Sequence, residues 1–201
     1  AWPEVEAGRL NVLKGDARRV DWPTLPRVRD ANQPVMIISN LPYNVGTPLL
    51  VTWLKAGNWR GEMALMFQKE VAQRVCAQPG SRQYGRLAVL TAAVCDAAIA
   101  FTLPPGAFRP PPKVDSAVVV LQPLPPEHAF PALDTLETVV GAAFAQRRKM
   151  LRVALKALAK SHRLDAEEWL KACDIDPTAR AETLSQAQFR HLSTHFAEAR
   201  K

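Results

Sequence analysis

Short runs of aliphatic and β-branched residues alternate along the first 121 positions with stretches whose apolar residues recur every three or four places, a pattern of strands alternating with helices. Leu10-Asn11-Val12-Leu13 predicts a strand, with Lys14-Gly15-Asp16-Ala17 leaving its C-terminal end. After a proline-containing connection, Val35-Met36-Ile37-Ile38-Ser39 predicts a short buried strand lying adjacent to the first. Thr47 as N-cap and Pro48 at the first helical position open a helix that Gly57 ends. Met63 to Phe67 predicts a strand, Lys69 to Ala77 a short helix, Leu87 to Cys95 a helix, and Ala98 to Leu103 and Ser116 to Leu121 two more strands. The alternation predicts an α/β domain with a mostly parallel sheet. The best boundary is the proline-rich stretch from Pro123 to Pro131. Beyond it every stretch has helical period: Leu133 to Ala145, Gln146 to Lys160, Asp165 to Ala172 and Gln186 to Ala199. The chain therefore divides into residues 1–124 and a small all-α unit, 125–201. An α/β domain rarely starts in mid-sheet, so a further N-terminal portion is expected before Ala1.

Composition narrows the classes. Forty-eight per cent apolar content supports a real core, and no uninterrupted apolar run is long enough to span a bilayer. The first residues are acidic and lack the apolar run of a signal peptide. The three scattered cysteines, Cys76, Cys95 and Cys173, show no zinc-like spacing and fit a reducing cytosol. His191 and His195 are spaced i, i+4, but no third ligand is evident, so no metal site is expected. A net charge of +7 is compatible with a polyanionic partner. The charge is concentrated: between Arg147 and Arg163 lie seven basic residues and no acidic one, which suits either an RNA backbone or a solvated helix face.

The most specific chemistry follows the second strand. Asn40-Leu41-Pro42-Tyr43 puts an amide, a stiffening proline and an aromatic at the C-terminal edge of an α/β sheet, where such sheets bind ligands. An amide accepts hydrogen bonds from an exocyclic amine, and a tyrosine offers a face to a nucleobase. The same four residues also suit a strand-to-loop turn with a surface tyrosine. Asp16 suits an acceptor for an adenine amine or a turn aspartate. Phe108, among four prolines, suits a held stacking surface or a core phenylalanine. The loop from Gln78 to Arg86, with Arg82, Tyr84 and Arg86, suits a phosphate contact or a solvated loop, as does Lys113.

Five ordered motifs then carry a resemblance: Asn40-Leu41-Pro42-Tyr43-Asn44 with Thr47-Pro48-Leu49; Phe67-Gln68-Lys69-Glu70-Val71-Ala72; Tyr84-Gly85-Arg86-Leu87; Phe108-Arg109-Pro110-Pro111-Pro112-Lys113-Val114-Asp115-Ser116; and Phe144-Ala145-Gln146-Arg147-Arg148-Lys149. Together they make nearly the whole chain resemble the bacterial ribosomal RNA small-subunit adenine dimethyltransferases. The resemblance implies a Rossmann-like S-adenosylmethionine-dependent methyltransferase domain over 1–124 and a helical RNA-binding domain over 125–201. It implies N6,N6-dimethylation of two adjacent adenosines in the 3′-terminal hairpin of 16S rRNA during small-subunit assembly, by a cytoplasmic monomer with no membrane partner. By the same resemblance Asp16, Ala17 and Asn40 contact the cofactor, and Asn40 and the Leu41 carbonyl accept the two N6 hydrogens. Pro42 shapes the turn, and Tyr43 and Phe108 sandwich the flipped base. Arg82, Arg86, Lys113, Arg147, Arg148, Lys149 and Arg152 meet RNA. No metal is called for, because a sulfonium is already a good leaving group.

Two departures qualify the resemblance. The family's glycine-rich cofactor loop and its ribose-binding acid are absent from the sequence, so a chain starting at Ala1 is expected to bind the cofactor weakly or not at all. Val45-Gly46 replaces the family's usual Ile-Ser, and Gly46 is expected to loosen the loop. Two other readings compete: an Erm-type methyltransferase of large-subunit rRNA, which typically shows Ile-Pro-Tyr, and a non-catalytic RNA-binding assembly factor that keeps the fold.

Overall fold

The computed structural model describes residues 3–25, 33–42 and 44–199. A short helix α1 (Pro3–Glu6) and two 3-10 turns (Ala17–Arg19, Trp22–Thr24) precede strand β1 (Val35–Asn40). Then follow α2 (Gly46–Leu54), β2 (Arg60–Gln68), α3 (Lys69–Val75), α4 (Arg86–Ala92), β3 (Cys95–Leu103) and β4 (Ser116–Pro123). The last third holds α5 (Leu133–Ala145), α6 (Leu151–Ala154), α7 (Lys156–Ser161), α8 (Ala166–Ala172) and α9 (Gln186–Glu198).

The four strands form one sheet in the order β1-β2-β4-β3. Only β1 and β2 run parallel; β4 is antiparallel to both β2 and β3. The expected mostly parallel sheet is corrected on this point. The chain returns from β3 through the 104–115 loop directly beside its own strand, and such a return makes an antiparallel pair. The expected strand at Leu10 to Leu13 is also absent. Val12 and Leu13 are 73% and 70% exposed, and no described strand lies beside them to complete a ladder. Asp16 accordingly does not end a strand next to β1. Nor is β1 buried: its residues alternate half-buried and exposed, because only β2 pairs with it among the described residues.

Met63, Leu65 and Phe67 of β2 and Ala117, Val119 and Leu121 of β4 fill one face of the sheet, with α3 and α4 packed on it. The core continues without a break into the helices, where α5 packs on α4 and on α9. Helix α9 begins with a capping box, Ser185 and Gln188 each bonding the other's backbone N–H. Its apolar stripe of Phe189, Leu192 and Phe196 is fully buried, Phe189 stacking on Phe144 and Phe196 on Trp169. The proline-rich link is fastened rather than free: Phe130 N–H donates to the Ala93 carbonyl (2.8 Å), and Arg190 donates to the carbonyls of His128, Ala92 and Ala93.

The expected helix from Gln146 to Lys160 is broken. Residues 146–149 form a turn, closed by Lys149 N–H on the Gln146 carbonyl (2.8 Å), and Met150 caps α6 in an extended conformation. The helix after β1 starts at Gly46, with Val45 rather than Thr47 as its N-cap.

Candidate functional site

Strand register fixes where the site lies. Asn40, the last residue of β1, pairs with Met66 of β2. Two residues further along β2, Gln68 pairs with Ser116, and Ser116 with Leu103. The Asn40-Leu41-Pro42 segment and the 104–115 loop bearing Phe108 therefore leave the same end of the sheet. Lys69 locks that loop, its N–H donating to the Asp115 carbonyl (2.9 Å) and its ammonium pairing with the Asp115 carboxylate (3.1 Å).

The Asn40 side chain is at the exposed strand end with no hydrogen-bond partner among the described residues. Leu41 turns inward and is buried; its N–H reaches the Met66 carbonyl (3.4 Å), while no described donor takes its own carbonyl. The Pro42 carbonyl accepts from Val45 and Gly46 N–H, both at 3.1 Å, and so folds the chain straight into α2. Tyr43 lies outside the described residues. Gly46 does not loosen this turn. A Cβ there would sit 3.2 Å from the Phe67 ring and 3.4 Å from Leu41 Cβ, so glycine is what lets α2 pack so close. Phe108 is half-buried, its N–H on the Pro105 carbonyl (3.1 Å).

Beside this end of the sheet is a cavity of about 690 Å³ between β1, the start of α2 and the 15–25 segment. Asp16, Ala17, Leu41 and Pro42 line it, together with Trp22, Trp53 and Trp59; Asn40 and Phe108 do not. Trp22 meets Trp53 edge to face (5.6 Å), and the buried indole N–H groups of Trp53 and Trp59 have no acceptor among the described residues. Asp16 is engaged already: Arg18 donates to both carboxylate oxygens from its guanidinium and to one from its backbone N–H (3.0 Å). Those bonds hold its pKa down to about 2 and make it the cap of the Ala17–Arg19 turn. Each carboxylate oxygen has lone pairs to spare, so an anionic acceptor stays at the cavity wall.

The basic residues are dispersed. Arg147 donates to Glu182 (2.9 Å) and to the Arg82 carbonyl (2.7 Å), Arg152 lies 3.6 Å from Glu167, and Arg86 binds Glu137. The stretch free of acids in sequence is thus partly neutralised in space. Arg82, Lys113, Arg148 and Lys149 are exposed and carry no side-chain ion pair among the described residues. Tyr84 is not a surface stacking group: it is buried against Phe144, and burial pushes its hydroxyl up to about 12. Burial likewise raises the Cys76 and Cys173 thiols to about 11, which keeps them protonated at neutral pH. Sequence reading missed the tryptophans of the cavity, whose only signal was their unusual number, five in 201 residues.

Residues 3–198 match the family described as "Ribosomal RNA adenine dimethylase". Among similar proteins, one named "Ribosomal RNA small subunit methyltransferase A" from Jannaschia sp. (strain CCS1) is 52% identical over 197 residues, covering 94% of this chain and 65% of that protein. Proteins of the same name from Gluconobacter oxydans and Agrobacterium fabrum are 46% and 49% identical, covering 96% and 94% of this chain and 62% and 67% of their own length. The chain thus spans roughly two thirds or less of the relatives it matches. Two solved structures share the fold: a dimethyladenosine transferase from Plasmodium falciparum (TM-score 0.77, 24% identity, covering 98% of this chain and 76% of the other) and the 23S rRNA methyltransferase ErmE (TM-score 0.59, 18% identity, covering 96% and 75%). The sheet is that of a Rossmann-like methyltransferase, and the chain belongs to the ribosomal RNA adenine dimethylase family.

Proposed function

We propose that this chain supplies the target-adenine site and the RNA-gripping helices of an S-adenosylmethionine-dependent N6,N6-dimethyltransferase. Its substrate is a pair of adjacent adenosines in the 3′-terminal hairpin of small-subunit rRNA. The observation that carries the reading is the pair of acceptors at the end of β1, the Asn40 amide oxygen and the Leu41 carbonyl, neither with a partner among the described residues and both at the end of the sheet that the Phe108 loop also leaves. The kinship with proteins named small-subunit rRNA methyltransferase supports it.

An adenine amine is a poor nucleophile because its lone pair is delocalised into the ring. Two acceptors on the two N6 hydrogens favour a pyramidal nitrogen whose lone pair is aimed at the methyl donor, and fixed geometry supplies much of the rate. Phe108 and Tyr43 offer faces to the extruded base, offsetting the few kcal/mol of unstacking. The nitrogen gains the methyl and releases its proton to solvent. When bound, S-adenosylmethionine contributes a methyl on a sulfonium leaving group. The residues present fit its adenosyl end: Asp16 is an acceptor for an amine, and Trp22 and Trp53 give the cavity an aromatic wall. Residues 1–124 would perform the transfer, and 125–201 would hold RNA through Arg147, Arg148, Lys149 and Arg152, with Arg82, Arg86 and Lys113 from the first unit. The protein is read as a cytoplasmic monomer acting on the assembling small subunit. No helix among the described residues is long and apolar enough to cross a membrane.

Mapping the modified nucleotides tests the substrate. With small-subunit particles lacking the modification and millimolar cofactor, primer extension is expected to stop at two adjacent adenosines near the 3′ end. A stop in large-subunit rRNA instead would favour the Erm-type reading.

A further inference from the structure

We propose that a cavity at the opposite end of the sheet from Asn40 binds a small amphipathic carboxylate, with Arg60 as its charge partner. Val35 pairs with Arg60 at the start of β1 and Asn40 with Met66 at its end, so this cavity and the proposed methylation site lie at opposite ends of the same strands. The cavity, about 760 Å³, lies between the starts of β1 and β2, the end of α2 and the proline-rich link from Pro123 to Pro131. Its volume is within the usual range for small-molecule sites. Leu54, Val94, Leu124, Phe130 and Leu133 give it a largely apolar wall. Arg60 is also in that wall, and only 7% of its surface is exposed.

Strand register puts the arginine there. Two steps along β1, from Val35 to Ile37, meet three along β2, from Arg60 to Met63, and this slip turns Arg60 onto the buried face that carries Met63 and Leu65. Its guanidinium makes one hydrogen bond among the described residues, from Nη1 to Cys95 Sγ (3.2 Å). Its Nε is buried with no acceptor, and Nη2 donates to no described residue. Burial outweighs the nearby Arg60 charge and raises the Cys95 thiol above its ordinary pKa, so the sulfur is neutral and does not balance the cation. The other charged groups at the cavity do not balance it either. Lys55 is a second cation, already held by Asp134 and Glu137. Glu62 also lines the cavity but is exposed and forms no ion pair among the described residues. A buried cation is costly unless a negative charge and hydrogen-bond acceptors accompany it. One uncompensated guanidinium in an apolar wall therefore calls for one carboxylate on an apolar body. A phosphate chain would need several more free donors, and a neutral hydrocarbon would leave the charge as it is.

The test is isothermal titration calorimetry at neutral pH with naphthaleneacetate and with its uncharged analogue, naphthylethanol. Wild type is expected to bind the acid at least about tenfold more tightly than the alcohol, since only the acid balances the guanidinium. Arg60→Met removes the charge but keeps a chain of similar reach, and is expected to bind acid and alcohol alike. Leu124→Trp narrows the cavity and leaves the arginine in place, and is expected to weaken binding of the acid severalfold. Circular dichroism shows whether each variant is folded; should Arg60→Met fail to fold, the wild-type preference and Leu124→Trp decide the matter. Equal affinity of wild type for acid and alcohol, or no binding of the acid, would overturn the proposal. Undiminished binding of the acid by either folded variant would also overturn it, because the probe would then sit elsewhere, the tryptophan-lined cavity included.

Discussion

Two carbonyl oxygens, one on the Asn40 side chain and one on the Leu41 backbone, carry the proposed chemistry at the scale of single residues, and they differ in how they are held. Leu41 is anchored by burial and by the β2 ladder, so its carbonyl is fixed by the fold. Asn40 is exposed, and among the described residues only its backbone is held, by the pairing of β1 with β2. Asn40→Ala is therefore expected to leave thermal stability within about 0.5 kcal/mol of wild type. Gly46 is the opposite case, a residue silent in chemistry that sets the distance between α2 and Phe67. Gly46→Ala is expected to destabilise by about 1 kcal/mol, because Phe67 and Leu41 are both buried and must shift by a few tenths of an ångström; the overpacking outweighs the gain in helix propensity. A thermal melt checks both. The sequence alone marked Asn40 and Leu41 through a spaced motif. It misjudged Gly46, since the contact that constrains it comes from Phe67 on another strand.

At the scale of elements, ion pairs join α2, α4 and α5, and the first turn of α9 is capped. Lys55, at the end of α2, reaches Asp134 (2.6 Å) and Glu137 of α5, and Glu137 also binds Arg86 of α4. Burial alone would raise the Glu137 pKa, but the hydrogen bonds and charges of Lys55 and Arg86 outweigh it and hold it below the ordinary carboxylate value. A carboxylate with a depressed folded pKa adds stability that is fully present above its unfolded pKa and is lost as pH falls through the folded value. The melting temperature should therefore fall below about pH 4.5 more steeply for wild type than for Glu137→Gln. At pH 7 the variant should melt lower, by an amount corresponding to roughly 1 kcal/mol. Equal slopes in the two proteins would remove the ion cluster from the account. Ser185→Ala should cost about 1 kcal/mol through the lost cap of α9, read from the same melts. These elements were largely legible in the sequence, where period, proline and cap residues agree. The breaks were not. The turn at 146–149 is dictated by where α6 must dock, with Leu151 and Arg152 N–H bonding the Ala179 and Pro177 carbonyls, and those contacts lie almost thirty residues away along the chain.

For the whole molecule, the α/β sheet and the helical third were readable from alternation and from the prolines between them, while the strand order and the antiparallel run of β4 were not, since hydrophobic period carries no direction. The cation stretch after Arg147 was readable as charge but not as arrangement: Glu182 and Glu167 neutralise part of it. The Asn40-Leu41-Pro42 segment and the loop bearing Phe108 leave one end of the sheet, and the proposed methylation is placed there. The most direct measurement is nucleoside mass spectrometry of small-subunit rRNA after incubation of unmodified particles with the protein and millimolar S-adenosylmethionine. The account predicts N6,N6-dimethyladenosine with wild type and a loss of about a hundredfold or more in its rate of formation with Asn40→Ala, at unchanged RNA affinity. Unmethylated RNA with wild type that nonetheless binds it, or equal dimethylation by Asn40→Ala, would contradict the claim that this end of the sheet is where the adenine amine is methylated.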